Sequence, residues 1–463
     1  MNVWEYWAQT AAGRANLRLL VPGKGWVAYD DLLGGDGKLR ERGSKEVIDS
    51  ALVNALSATN FVTLIGSGAS FCVQNQSGQK APSMADLWRS VKDAVGDEKF
   101  GAVFDMFPNA KVEENIEKLL SLCKVYLELN EEADESDEAV QVVRDFVRQA
   151  EERILKEVDF VRRDTKLPAH ETYVRKIGRR GFRKTRAKLF TTNYDLAFEE
   201  AARRLRFTVI DGFSHSLDQV YDRQHFDLDI VRREPGKEAP DYIPNVFHLY
   251  KLHGSVDWRR TEAEDVVRSR DNAVGKPVLI YPRSSKYQEA FEPPYLDMMG
   301  AFQAALREPD TALVVAGFGF NDDHISRPIM AALESNLTLR LIICDPGFVA
   351  IAKRTSDESV VGQPTSDESA ESESSSDQDS KKPAHVIPDI ALPNNKFLTN
   401  IILLAKDGDP RIHLINGRFE DLADALPDLI GETDRERHVA RIKRVMWDND
   451  SQKPDSDIQE LLG

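Results

Sequence analysis

The chain has 463 residues, of which 41% are apolar, so it is long enough for a large core and for two or three structural units. Its 61 basic and 77 acidic residues give a formal net charge of −16, which argues against an overall nucleic-acid footprint and leaves only a local contact open. Cys72, Cys123 and Cys344 are isolated, so their spacing indicates neither a disulfide framework nor a zinc ribbon and favours a reducing, cytoplasmic setting.

The first 60 residues form an N-terminal segment that closes with an amphipathic stripe. Apolar residues recur at helical spacing over 45–59 and lead into the strand-like run at 61–65, so we predict a helix followed by a first strand. The N-terminus has no basic segment followed by an apolar one, and about 18 consecutive apolar residues occur nowhere. We therefore expect neither a signal peptide nor a membrane span.

A glycine turn follows this first predicted strand. Gly66 and Gly68 have no Cβ, so backbone amides in this turn can approach a pyrophosphate. Phe71 replaces the third glycine of the usual dinucleotide fingerprint. A plain tight turn is therefore the alternative to a phosphate-binding turn.

Residues of about 84–180 are predicted to form a helical insertion. Ser83 and Asp86 have the spacing of a capping box that opens a helix. The acidic stretch 128–138 predicts a solvated turn between two further helices, and 174–188 carries eight basic residues. The basic run is interpreted either as a solvated helix face and loop or as a contact for phosphate or an acidic partner.

The later part of the chain alternates strand-like and helical segments. Strand-like runs occur at 205–210, 246–252, 277–281, 311–320 and 339–345. The last two are apolar on both faces, as in parallel strands that are covered on both sides. The pattern predicts an α/β fold with a doubly wound, mostly parallel, Rossmann-like sheet, spanning 61–350 with the helical insertion inside it.

The C-terminal part is predicted to contain a disordered loop and a final set of elements. Residues 355–380 hold eight acids, no Lys or Arg and a repeated TSDES, so we expect 353–393 to be a disordered loop, with phosphorylation as a further option. Within 394–463, which would complete or flank the core, runs 400–408 and 411–417 predict a strand pair and 419–430 a helix. A short charged appendage ends the chain.

Polar residues follow the predicted strand that ends near Thr192. Asn193 can orient a ribose hydroxyl or a water through its amide, although an exposed loop amide is the alternative. Asp195 can accept from a carboxamide or cap the helix that follows it. Strand carboxyl ends gather ligand groups in doubly wound folds, which favours a site here.

A histidine follows the next predicted strand. His253 precedes Gly254 and is suited to accept a proton near neutral pH, whereas a lone strand-end histidine is usually structural. Three strand ends with related chemistry favour the functional interpretation. His248 lies within the apolar run itself, so we predict a structural role for it.

Two later strands also end in residues suited to a nucleotide. Gly317 and Gly319 follow a buried strand and leave backbone free to meet phosphate or ribose. Asp322 binds ligand or caps the following helix, and we favour the cap. Asp345 is suited to accept from adenosine ribose hydroxyls, with a turn-forming Asp-Pro as the alternative.

These segments together resemble the sirtuin superfamily, in particular its bacterial sirtuin-like branch that lacks the deacylase equipment. The resemblance lies in GSGAS, TTNYD, KLHG and GFGFND, and it covers about 60–350. It implies that Asn193 contacts the nicotinamide ribose and orders a water, that Asp195 reaches the carboxamide and that His253 is the catalytic proton acceptor. NAD is then the substrate.

The remaining NAD contacts are expected at Gly66, Ser67, Gly68, Ala69, Ser70, Thr192, Gly317, Gly319 and Asp345. Of these, the resemblance implies Gly66, Gly68, Ala69 and Ser70 at the phosphate and the turn of Gly317 and Gly319 at the ribose and phosphate. Two departures concern the substrate side. Thr192 stands where the family has Gln, and the deacylase loop Gly-Ile-Pro-Asp-Phe-Arg has no counterpart. The four zinc cysteines of deacylating members are also missing, so no zinc is expected and hydrolysis of NAD is favoured over deacylation.

Bacterial proteins of this branch commonly act as NAD-depleting effectors in antiphage defence, and some assemble with a HerA-type ATPase. The resemblance therefore implies a homo-oligomer that stays inactive until triggered, with that ATPase as a candidate partner. The helical insertion and the C-terminal segment are the candidate assembly surfaces. Two other functions stay open, a non-catalytic module that senses NAD or ADP-ribose within a complex and a protein deacylase.

Overall fold

The computed structural model describes most of the chain outside its two ends. It covers residues 11–108, 112, 114–130, 137–180, 184–233, 241–271, 273–279, 293–349, 386–387, 392–393 and 395–429. The expected disordered loop 353–393 and the terminal appendage lie almost entirely outside these residues. Within the loop, Val386–Ile387 forms a short strand.

The strands of the described residues are β1 (Arg18–Val21), β2 (Gly25–Ala28), β3 (Leu32–Leu33), β4 (Leu39–Glu41), β5 (Asn60–Ile65), β6 (Lys188–Thr191), β7 (Thr208–Ile210), β8 (Val231–Arg232), β9 (Asp241–Tyr242), β10 (Val246–Lys251), β11 (Gly254–Arg260), β12 (Val266–Arg268), β13 (Lys276–Leu279), β14 (Thr311–Ala316), β15 (Arg340–Cys344), β16 (Val386–Ile387) and β17 (Ile412–Asn416).

The α-helices whose full bounds lie within the described residues are α1 (Lys45–Ser57), α2 (Met84–Val95), α3 (Asp97–Asp105), α4 (Ile116–Leu129), α5 (Glu138–Val158), α6 (Pro168–Gly178), α7 (Ala197–Leu205), α8 (Tyr295–Arg307), α9 (Asp323–Ser335), α10 (Lys396–Lys406) and α11 (Phe419–Ala425). None of these helices combines the length and the apolar character needed to cross a lipid bilayer, which is a statement about the described residues alone.

The main sheet has the strand order β16-β2-β1-β17-β15-β14-β5-β6-β10-β7. The seven strands from β17 to β7 are parallel to their neighbours. The β1–β2 hairpin and β16 extend the sheet as antiparallel strands. The predicted mostly parallel, Rossmann-like α/β fold is confirmed.

The chain order reverses between β5 and β14. On one side of β5 the sheet continues with β6, β10 and β7, whereas the later strands β14, β15 and β17 extend it on the other side. Ligands of doubly wound folds bind in the crevice at the carboxyl end of such a switch point. The topology therefore selects the turns after β5, β6, β10 and β14 for inspection.

Both faces of the parallel strands are buried, because helices cover each of them. Along β5, Val62 and Leu64 join the core under α8, α9 and α10, whereas Phe61 and Ile65 join the core under α1, α6, α7 and α11. This alternation explains why the strands are apolar at every position. A third core belongs to the helical insertion α2–α5, where Leu119 and Phe146 are fully buried.

One predicted strand pair is wrong, because residues 400–408 belong mainly to the helix α10 rather than to a strand. Asn395 caps this helix by accepting from the amides of Phe397 and Leu398. Its buried residues Phe397, Leu398, Ile401, Ile402 and Ala405 follow the helical period. The short apolar run NIILLA is compatible with a helix and with a buried strand, and the Asn395 cap favours the helix. The second run of the predicted pair, 411–417, contains the strand β17, as predicted.

The basic run 174–188 is only partly solvated: Arg175 and Arg179 lie at the surface, as the solvated-face interpretation predicts, whereas two of its cations are buried. The Lys176 ammonium donates to the carbonyl oxygens of Ala423 and Asp424, which fastens α6 to α11. The buried Arg180 guanidinium donates to the carbonyl oxygens at the end of α1, among them that of Leu56. These cations satisfy orphan carbonyls at helix ends.

Candidate functional site

The register of the parallel strands brings four turns to one edge of the sheet. Ile65 at the end of β5 lies opposite Ala316 of β14 on one side and Thr191 of β6 on the other. Thr191 in turn lies opposite Lys251 of β10. The residues that follow these positions therefore start at the same level of the sheet.

The two glycine turns at the switch point pack directly against each other. A Cβ added at Gly66 would lie 2.4 Å from the carbonyl oxygen of Gly317, and one added at Gly68 would lie 2.8 Å from the Gly317 Cα. The amide of Gly68 donates to the Gly317 carbonyl oxygen over 3.0 Å. Gly317 itself has a φ of +63°. Backbone contact between the turns therefore requires these glycines, whether or not a phosphate binds.

A cavity of about 1440 Å³ opens at this edge of the sheet. It exceeds the usual range of ligand pockets, which is about 300–1,000 Å³. Eight of the predicted site residues line it, namely Ser67, Ser70, Thr192, Asn193, Asp195, His253, Gly317 and Gly319. Gly66, Gly68, Ala69 and Asp345 are not among its lining residues.

Asn193 lies at the end of β6 with one side-chain atom left open. Its backbone amide donates to Thr191 Oγ1 at 3.1 Å, and its Nδ2 donates to Ser70 Oγ at 3.0 Å. Its Oδ1 is buried and has no hydrogen-bond partner among the described residues. Leaving a buried acceptor unpaired costs about 1–3 kcal/mol, so this atom marks a place for a donor from a ligand or a water.

Asp195 is engaged by the protein at both carboxylate oxygens. Its Oδ2 accepts from Ser70 Oγ at 2.7 Å, and its Oδ1 accepts from the amide of Ala197 at the start of α7 at 2.9 Å. The second contact is the helix-capping alternative of the sequence analysis. Asp195 therefore lines the cavity while it also fixes Ser70, which in turn holds the Asn193 amide.

His253 lies in the turn between β10 and β11, where the sequence places it. It is 3% exposed, and burial lowers its pKa to about 4. Its Nε2 lies 3.2 Å from Nε2 of His324, which is the second residue of α9. The ring is therefore neutral near pH 7 and is able to accept a proton.

His324 is a site residue that the sequence analysis missed. Its pKa is lowered to about 4 by burial and by the neighbouring His253. The string GFGFNDDH contained a signal, because a histidine in the first turn of a helix that follows a switch-point strand lies near the ligand crevice. The sequence alone did not show that β10 and α9 bring two imidazoles together.

Asp322 does not make the cap that we favoured. Its side chain makes no capping hydrogen bond with α9, and it lines the cavity instead. Burial raises its pKa, and the negative charge of Asp323 adds to the increase. The carboxyl group of Asp322 therefore lies at the rim of the cavity.

The helical insertion supplies one wall of the cavity. Asn115, Glu117, Lys118, Ser121 and Leu122 of α4 and its cap line the cavity at spacings of three and four residues, which places them on one helix face. Burial raises the pKa of Glu117 to about 8, and the charge of Asp322 acts in the same direction. The insertion is therefore part of the site rather than a separate appendage.

Two other candidates have structural partners. His248 is buried within β10, where its Nδ1 lies 3.3 Å from the Tyr250 hydroxyl, and it does not line the cavity. Asp345 follows β15, and its Oδ1 accepts from the amide of Gly347 at 2.6 Å. That contact is the Asp-Pro turn alternative of the sequence analysis.

Residues 187–360 match the family model of the SIR2-like domain. This match covers less than half of the chain, and it supports a relationship to the sirtuin-like superfamily and an NAD-related function. It includes the segments with Asn193, His253 and His324, while β5 and its glycine turn lie before it. None of the curated proteins matches the chain significantly.

Proposed function

We propose that this protein is an NAD glycohydrolase that cleaves NAD to nicotinamide and ADP-ribose at the switch-point cavity. The observation that carries the proposal is the placement of Asn193 and His253 on the same cavity, with the Asn193 Oδ1 left unpaired. The SIR2-like match over both residues supports NAD as the substrate.

The cavity fits the substrate in two respects. It is large enough for a dinucleotide, and it lies at the sheet edge where doubly wound folds bind nucleotides. In the proposal, Ser67, Ser70 and the exposed backbone near Gly319 meet phosphate or ribose, and Thr192 borders the nicotinamide side. The carboxamide contact at Asp195 competes with the two hydrogen bonds that this residue already makes.

The proposed reaction uses water as the nucleophile. The bond between the ribose carbon and the nicotinamide nitrogen breaks, and its electron pair leaves with nicotinamide. The Asn193 Oδ1 accepts from the attacking water and orients it, and the water oxygen bonds to the ribose carbon. His253 takes the proton that the water loses. Burial of these groups strengthens their electrostatic effect on the positive charge that develops at the ribose.

The proposal extends to a biological role as an NAD-depleting effector in bacterial antiphage defence. That role, a homo-oligomeric assembly and a HerA-type ATPase partner rest on the motif resemblance described above. In this proposal the protein is inactive until a trigger activates it. The cavity wall formed by α4 offers a physical route for such control, because any shift of the insertion changes the site.

The test follows nicotinamide release from NAD by the purified protein, with and without phage lysate or DNA as the trigger. Asn193→Ala and His253→Ala are each expected to lower the turnover number about 100-fold or more, because each removes a group that acts on the transition state. His248→Gln is the matched control, since His248 is buried on β10, the strand that leads to His253, and does not line the cavity.

Wild-type turnover in both alanine variants would refute the site. Saturable NAD binding without nicotinamide release under any trigger would instead favour the sensing module.

A further inference from the structure

We propose that His253 and His324 form a proton relay, in which His253 passes the proton of the attacking water through its Nε2–H to Nε2 of His324. This inference rests on the proposed function, because it names a positioning residue for that reaction. The geometry behind it is the 3.2 Å contact between the two Nε2 atoms at the wall of the cavity.

The contact requires that one ring donates and the other accepts. Two Nε2 atoms at this distance cannot both carry a hydrogen, and two bare nitrogens would repel each other. The described residues offer no hydrogen-bond partner to Nδ1 of His253. In the relay arrangement His253 donates its Nε2–H to His324, so its free Nδ1 is the atom that receives a proton from the substrate side.

The proton balance of the step is simple. The O–H bond of the water breaks, its electron pair stays on the oxygen that bonds to the ribose carbon, and a new N–H bond forms at Nδ1 of His253. The Nε2–H bond of His253 breaks at the same time, and its proton moves to Nε2 of His324. His253 is neutral again, and the positive charge lies on His324.

The carboxylates at the rim of the cavity act on His324, whose pKa is nevertheless lowered to about 4 by burial and by His253. Asp322 and Asp323 both act on the His324 imidazole in the direction that stabilises its protonated form. For His253 only burial is resolved, which disfavours its protonated form. In the relay, the carboxylates of Asp322 and Asp323 are the groups that stabilise the proton once it reaches His324.

Several other groups set the electrostatics of this rim. Glu117 of α4 lines the same cavity as Asp322, and the charge of Asp322 helps to raise its pKa. Arg327 of α9 and Lys396 of α10 pair with Asp323 and reduce its effect on His324. Tyr194 lies beside His253, with ring centroids 6.4 Å apart.

The first experiment compares His324→Gln with the wild type in nicotinamide release. The Gln side chain keeps a hydrogen bond to His253 but cannot carry the proton onward, so we expect kcat to fall about 10- to 100-fold with little change in KM. His215→Gln, an exposed histidine away from the cavity, is expected to keep wild-type rates.

A rescue series separates proton transfer from mere support. In His324→Ala the vacated space admits imidazole from solution, and the relay predicts that 4-methylimidazole, imidazole and 4-bromoimidazole restore turnover in the order of their basicity. A purely structural role predicts equal rescue by all three compounds, and that result would overturn the relay.

Nitrogen NMR tests the relay even in protein that does not turn over NAD. With ¹⁵N-labelled histidine we expect the Nε2–H tautomer for His253, the Nδ1–H tautomer for His324, and neutral rings down to about pH 5 in keeping with their lowered pKa values. The opposite tautomers would refute the relay. Absent turnover under every trigger, together with the expected tautomers, would refute the proposed hydrolase and leave the hydrogen-bonded pair intact.

Discussion

The two glycine turns at the switch point and the polar rim beside them obey different physical demands. In the turns, the close approach of the two backbones explains why Gly66, Gly68 and Gly317 are glycines. At the rim, the buried Oδ1 of Asn193 has no hydrogen-bond partner among the described residues, and Nε2 of His253 contacts His324. The comparison teaches that the glycines build the crevice, while the amide and imidazole carry its chemistry.

An unpaired polar atom alone does not make a site, and His170 shows this. Both of its ring nitrogens are buried without a hydrogen-bond partner among the described residues, yet the ring packs between Phe198 and Phe419 and does not line the cavity. The rim differs because its open atoms border a space large enough for a ligand. Open hydrogen-bonding capacity and a cavity must therefore occur together.

The largest expected effect is on the turns. Gly317→Ala places a Cβ 2.5 Å from the Ala69 amide nitrogen at a φ that L-residues avoid, so we expect a loss of about 3 kcal/mol or more in the free energy of unfolding. Urea denaturation measures it. Gly101→Ala in α3 is the control, because its Cβ enters open space, and it should be neutral or slightly stabilising. Equal stability of the two variants would contradict the packing account.

Ser70 links the two regions, so its loss should affect both stability and turnover. Ser70→Ala leaves Asn193 Nδ2 and Asp195 Oδ2 without their shared partner, which should cost about 1–3 kcal/mol. We also expect nicotinamide release to fall, because Asn193 loses its anchor. The exposed Ser335→Ala is the control, with a change below about 0.5 kcal/mol. Unchanged turnover in Ser70→Ala would show that Asn193 needs no anchor.

His170 predicts an acid sensitivity that is independent of activity. Burial lowers its pKa to about 4 from the ordinary 6.5, so the unfolded chain binds the proton first, and stability falls as the pH drops from 6.5 towards 4. From pH 7 to pH 5 this one group should cost about 2 kcal/mol. His170→Phe should remove that share of the loss in chemical denaturation and leave nicotinamide release unchanged. A lower turnover in this variant would contradict the claim that His170, unlike the residues at the rim of the cavity, has no part in the reaction.

Asp345 should give the smallest effect. Its sequence context allows either an adenosine ribose contact or an Asp-Pro turn, and in the structure its carboxylate accepts from the Gly347 amide and does not line the cavity. Asp345→Asn keeps an acceptor for the turn, so we expect KM for NAD to change less than about twofold. A KM increase of tenfold or more would show instead that Asp345 contacts the ribose of NAD.

Much of the fold was readable from local patterns. The stripe over 45–59 gave α1, and Ser83 with Asp86 gave the capping box of α2. The buried strands β14 and β15 followed from apolar runs bounded by turn residues. Residues 400–408 were misassigned because a short apolar run carries no clear period, and only the Asn395 cap reveals the helix.

The site was readable only where a residue follows a strand. Asn193 and His253 could be grouped because parallel strands end at one edge. His324, Asp322 and Glu117 reach the cavity through α9 and α4, and tertiary packing alone sets how those helices face the sheet. The pairing of the two histidines across elements therefore required the three-dimensional structure.

The most direct test of the central claim is a crystal structure of His253→Ala with NAD bound. The account predicts a dinucleotide across the ends of β5 and β14, with its nicotinamide ribose or an ordered water within hydrogen-bonding distance of Asn193 Oδ1. Nicotinamide bound away from Asn193, or a dinucleotide outside this cavity, would contradict it.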